Sequence, residues 1–372
     1  MIRNNIFDKG FHDRQRIWRV VILANALLLI LYLRVLSSHN WDPLAFVLLT
    51  PEDLPAGQTW GVGYDGRFSY HIALNPLGST EGLDEPNYRY QRILYPILVK
   101  LFSFGKSDLV PWVMLVLNWV STGLISCYLG ILLLRRKASP WYVFVLFLSI
   151  GYLLAVRMDL LEPMAFALAL VGWYLYENSR PRFAIIFFIL SSLTKEIGLV
   201  FPFAIAVWEF LHKRPRQAII TLGFSALPYV ILFFYLSSQF SVPGNAVEKI
   251  TFHLIPYAGF AMMTDLPSKV LTMIWCIAPS VFFGLWAIRD VLRFYAQKKD
   301  DPVVMLVIFQ SALISILPLP TWVDPIAIFR FNLGLIISVL LWFARSYPKY
   351  LPYVAFLWLI SGLILIPIPG ML

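Results

Sequence analysis

Ionisable side chains are scarce in this chain and fall into a few groups, so any chemistry must come from those groups. The densest lies between Trp60 and Pro96. There Asp65 stands in GYDGRFSYH, flanked by Gly63 and Gly66, which permit a tight turn and a close approach of backbone to a ligand. A carboxylate held at such a turn can take the proton of an acceptor hydroxyl as a general base. It can equally do no more than bond the N–H groups of its own Asp-Gly turn. Arg89 and Arg92 follow in YRYQRILYP. Their forks match phosphate oxygens, and among Tyr88, Tyr90 and Tyr95 they would also serve as plain interfacial anchors. Lys195 and Glu196, in SSLTKEIG between two short apolar runs, offer either a point charge for a phosphate or a mutually neutralising pair.

A second charged corner, VRMDLLEP, holds Arg157, Asp159 and Glu162. The two acids share a helix face if a helix begins before Asp159; otherwise they are the acidic start of a solvated hairpin. Asp324 and Arg330, in TWVDPIAIFRFN, form a similar corner, and Asp84 and Glu85 are further carboxylates of the first group. Tyr64 and His71 complete the polar candidates. His71 and His253 are isolated, and no His/carboxylate spacing resembles a metal site. No metal site or cofactor is therefore expected, and the sequence has no ligand cluster to decide whether a divalent ion takes part.

The elements that must position these residues are membrane helices. Only 14% of the 372 residues are charged, 59% are hydrophobic, and mean hydropathy is +0.72. A soluble domain would carry about 25% charged residues. The 13 Trp suit a protein with many membrane–water boundaries. Cys127 and Cys276 lie inside apolar runs and suggest neither a disulfide framework nor a thiolate site.

Taking ~20 apolar residues as the ideal span and accepting shorter ones, about eleven are expected. They run approximately 17–36, 110–134, 140–156, 160–176, 183–194, 197–211, 218–237, 269–288, 303–317, 331–344 and 350–368. Segment 93–105, broken by Pro96 and Lys100, reads as an interfacial or re-entrant piece. The expected fold class is thus an all-α polytopic membrane protein, with residues 1–372 forming a single membrane domain. The run 17–36 lacks a small-residue cleavage site and reads as a retained helix.

Alternate connections hold 19 of the 30 Lys and Arg, which places the N-terminus in the cytoplasm and the 37–109, 238–268 and 318–330 loops outside. With eleven spans the C-terminus is outside as well. The net charge of +9 is spread in these topological clusters, which argues against a nucleic-acid partner. Short spans with polar outer ends imply a water-filled dish on the extracytoplasmic side, roofed by the 37–109 loop.

YDGRFSYHIALNP followed by YRYQRILYP, with RMDLLEP and LTKEIGL after them, resembles integral-membrane glycosyltransferases of the GT-C superfamily. Within it the likeness is to bacterial cell-surface glycopolymer formation proteins. The resemblance spans roughly residues 60–200; the C-terminal half matches only in general character. It implies a sugar carried on a polyprenyl phosphate, transferred at the outer face of the bacterial cytoplasmic membrane to a glycan or lipid-linked acceptor. It also implies that an acid of the first outer loop, here Asp65, is the base. Arg89, Arg92 and Lys195 would then engage the donor phosphate. Family members often pair two acids at this position, whereas Asp65 is followed by Gly66; Asp84, Glu85 or Asp159 would have to supply a second. A transporter or flippase, and a non-catalytic subunit of a glycan assembly system, are the competing readings. The concentration of polar residues at one face and the absence of corresponding halves argue against the transporter.

Overall fold

The computed structural model describes residues 2–53, 63–76, 78–240, 255–294 and 301–365, and among these it contains helices and no strands. Trp60, His253, Lys298, Lys299 and the end of the last expected span lie outside them.

A long first helix, α1 (Ile2–Ser38), leads into a segment of short helices that precedes the next long helix. It contains α2 (Leu44–Val47), α3 (Gly66–Leu74), α4 (Pro86–Tyr90) and α5 (Leu94–Phe102). Next come α6 (Val110–Arg135), α7 (Val143–Phe147), α8 (Ile150–Arg157), α9 (Glu162–Glu177), α10 (Pro181–Thr194), α11 (Val200–Leu211) and α12 (Pro215–Gln239). The last third comprises α13 (Leu266–Thr272), a π turn Met273–Ile277, α14 (Ala278–Phe294), α15 (Pro302–Ser315), α16 (Leu319–Val323), α17 (Pro325–Ser346) and α18 (Leu351–Leu359).

Five helical segments are long and apolar enough to cross a membrane, or six if the bent pair α7–α8 counts as one crossing. The expected helix over 140–156 is therefore broken: its halves meet at 66° around Leu148 and Ser149. The break lets α8 cross α17 closely. A Cβ at Gly151 would stand 2.0 Å from the Phe329 carbonyl oxygen, so only glycine fits there. The expected short run 331–344 is also corrected, because α17 continues back to Pro325 and has 22 residues. Hydropathy cuts the run at Arg330. The helix carries that charge in its interior because carboxylates meet it there.

Hairpins between consecutive helices follow one local rule. Ser179 and Lys213 take left-handed φ values of 57° and 61°, ending α9 and α11, and Pro181 and Pro215 open the next helices. A left-handed residue satisfies the terminal carbonyls, and proline suits a first helical turn that needs no donor. Packing is uneven. In α17 89% of the apolar window is buried, whereas in α12 only 17% is, so α17 is the axial helix and α12 a peripheral one. Trp173, Trp342 and Trp358 belong to the core and have almost no exposure.

Candidate functional site

At the N-terminal ends of α9 and α17 the short helices α3 and α4 close over a group of ion pairs. Gly63 provides the turn, with φ +67°, and Gly66 provides the approach: a Cβ there would sit 2.4 Å from the Met158 carbonyl oxygen. Asp65 is thereby fixed against the α8–α9 corner. Its carboxylate caps no local N–H, which removes the simple Asp-Gly turn reading. Instead Oδ1 accepts from Arg89 Nη1 at 3.1 Å and Oδ2 accepts from Arg330 Nη2 at 3.1 Å.

Each guanidinium is held from a further side. Arg89 grips Asp84 with two bonds of 2.7 and 2.8 Å and lies 3.7 Å over the Phe68 ring. Arg330 donates to Glu162 at 3.0 Å and to the Tyr64 hydroxyl at 3.1 Å, and Tyr64 donates to Asp324 at 2.5 Å. Lys195 donates to the same Glu162 oxygen at 2.6 Å, so Glu162 is the buried hub of two cations. Arg92 forms a two-pronged pair with Glu196 at 2.7 and 3.0 Å and also reaches the Tyr88 hydroxyl.

Electrostatics follow from this geometry. Burial by itself would raise the Asp65 carboxyl, but Arg89 and then Arg330 outweigh it and hold it well below the usual carboxylate range. The Arg89 fork lowers Asp84 against burial in the same way. Asp65 is therefore an ionised, weak base while both arginines face it.

The ion pairs line one wall of a cavity of about 890 Å³. Asp65, Asp84, Arg89, Arg92, Lys195 and Arg330 are on its polar side; Leu199, Val200, Phe233, Leu313 and Leu317 form an apolar side. A water-sized space of about 20 Å³ lies beneath Asp65 beside Glu162. Phe233 belongs to the peripheral helix α12, so that wall stands next to the outside of the bundle.

Of the expected site residues, the fold brings together Asp65, Arg89, Arg92, Lys195, Glu196, Glu162, Tyr64 and Arg330, although Tyr64 stands behind Arg330 and does not line the cavity. Lys195 and Glu196 do not neutralise one another: each takes a partner from another element. Three candidates lie elsewhere. Arg157 is buried and donates to the Ala45 carbonyl at 2.8 Å. Asp159 takes a left-handed φ of 50° before α9 begins at Glu162, so the two acids share no helix face. Its carboxylate turns to Asn118 at 2.5 Å and Tyr95 at 3.2 Å, which removes it as a second acid beside Asp65. His71 lies on α3 with Nε2 3.5 Å from Asp53, and burial lowers its pKa.

Two participants, Phe68 and Tyr229, were not singled out from the sequence, and Tyr88 was read only as an interfacial neighbour of the arginines. Phe68 and Tyr88 are rings that seat arginines, and Tyr229 reaches in from α12 to donate to Gln91 at 2.8 Å. A tyrosine in the middle of an apolar run was the available signal for Tyr229. Among the described residues no group of three or more His, Cys, Asp or Glu is placed to hold a metal ion. Compared with protein-family models, curated proteins and solved structures, the chain matches none of them.

Proposed function

We propose that the chain is a GT-C-type glycosyltransferase of the bacterial cytoplasmic membrane, crossing it about eleven times with its N-terminus in the cytoplasm. It would move a sugar from a polyprenyl phosphate to a glycan or lipid-linked acceptor at the outer face. One observation carries the reading: an acid on a tight turn, held between two arginines, opens onto a cavity with one charged and one apolar wall. A sugar phosphate fits the charged wall and an isoprenoid chain the apolar wall beside α12.

The chemistry follows from partner exchange. Every cation facing the cavity already holds a carboxylate, so an incoming donor phosphate must compete for the arginines. As it takes Arg89 and Arg330, Asp65 loses the charges that make it a weak base. Asp65 then accepts the proton of the acceptor hydroxyl while that oxygen bonds the anomeric carbon. The bond from the anomeric carbon to the phosphate oxygen breaks, and the leaving lipid phosphate gains the charge that Arg89, Arg92 and Lys195 stabilise.

The closed ion-pair network also favours a second reading, a non-catalytic subunit whose charges only hold the loop helices down. Purified protein offered radiolabelled polyprenyl-phosphate sugars separates the two. Transfer by wild type, with retained donor binding and no transfer by Asp65→Asn, supports the enzyme; absence of transfer by both proteins supports the scaffold.

A further inference from the structure

The opposite ends of α9 and α17 enclose a second cavity, of about 530 Å³, lined by Arg135, Arg136, Lys137, Glu177, Asp301 and Arg345. Arg136 is half-buried: it donates to Glu177 at 2.5 Å and approaches the buried Asp301 at 3.8 Å. Arg345 reaches Asp301 at 2.7 Å from an exposed position. Lys137 is exposed, and its ammonium makes no ion pair among the described residues. Four cations face two carboxylates, so the described lining carries two positive charges in excess.

The chain segments that supply these cations run directly into an apolar groove of about 400 Å³. Ser139, Trp141 and Phe144 follow Arg135–Lys137, and Pro352 and Phe356 follow Arg345. Trp141, Tyr350 and Tyr353 are exposed at this end, the arrangement aromatic side chains take at headgroup depth. Basic pockets between helices at that depth attract anionic headgroups. From this juxtaposition we propose that the cavity binds the phosphate of an anionic phospholipid, with its acyl chain along the Trp141–Phe356 groove. The site is independent of the sugar-transfer reading.

Native mass spectrometry of the full-length protein in detergent, titrated with phosphatidylglycerol and with phosphatidylcholine, tests this. Wild type should bind phosphatidylglycerol about ten-fold more tightly. Arg135→Ala/Lys137→Ala/Arg345→Ala should erase that preference, while Arg180→Ala/Arg182→Ala/Arg216→Ala, equal charge removed outside the cavity, should keep it. Phe356→Ser should weaken the lipid and leave glycerol phosphate unaffected. Should the triple variant not fold, Lys137→Glu alone must still weaken phosphatidylglycerol. Unchanged binding in the cavity variants overturns the proposal. Full competition by glycerol phosphate at the lipid's own concentration overturns the lipid assignment and leaves a soluble-phosphate site.

Discussion

The same two helices end in both charged cavities. Glu162 and Glu177 stand fifteen residues apart on α9, and Arg330 and Arg345 fifteen apart on α17, about 22 Å at 1.5 Å per residue. At the first end the pairing is closed: Arg89, Arg92, Lys195 and Arg330 each hold a carboxylate, and Glu162, Lys195 and Arg330 are almost completely buried. At the other end the pairing is open, with Arg345 exposed and a surplus of positive charge. The lesson is that cation number alone does not make an anion site. A closed network must exchange partners to admit an anion, which ties binding to the state of its acids. An open one binds by attraction and can respond to salt.

The largest effect that would sharpen this contrast is on stability. Glu162→Ala leaves buried Lys195 without its acid and Arg330 with Asp65 alone, and should cost about 3–5 kcal/mol, the usual penalty for breaking a buried pair. Thermal unfolding in detergent would read it as a large loss of midpoint or of folded yield. Arg345→Ala at the open end removes an exposed partner and should cost less than about 1 kcal/mol. Comparable losses at both ends would break the comparison.

Acid should separate the two ends less sharply. Asp65 titrates in the folded protein below its unfolded value of about 3.9. Its contribution to stability is therefore complete above that value and is lost as pH falls through the folded one. Unfolding midpoints of wild type and Asp65→Asn should then differ by a constant amount from pH 5 to 8 and converge only in stronger acid. A difference that changes near neutral pH would mean that Asp65 is not held by both arginines. The smallest effect concerns salt at the open end. Raising ionic strength should reduce the already small cost of Arg345→Ala, since Arg345 stands in solvent where salt screens its charge, while leaving that of Glu162→Ala.

Much of the site was legible because charges interrupting apolar sequence stand out. Asp65, Arg89, Arg92, Lys195 and Arg330 could be named for that reason. Their partners could not, because the pairs close over long separations: Arg92 with Glu196, Tyr64 with Asp324, Asp65 with Arg330. Asp159 shows the converse failure. It has the right type and neighbourhood, and a single left-handed backbone angle turns it to Asn118 and Tyr95. The helical character of the chain was plain from hydropathy, but the length of α17 was hidden by the very arginine that the site neutralises, and the bend between α7 and α8 left no trace stronger than a serine in an apolar run.

The role proposed for Asp65 is that of general base in sugar transfer. Its most direct test is the mass profile of the surface glycan in cells whose only copy is wild type or Asp65→Asn, at matched membrane abundance. The account predicts that one sugar disappears with Asp65→Asn, by at least the 10²-fold expected for loss of a general base, and the missing mass names the donor. An unchanged profile would contradict it.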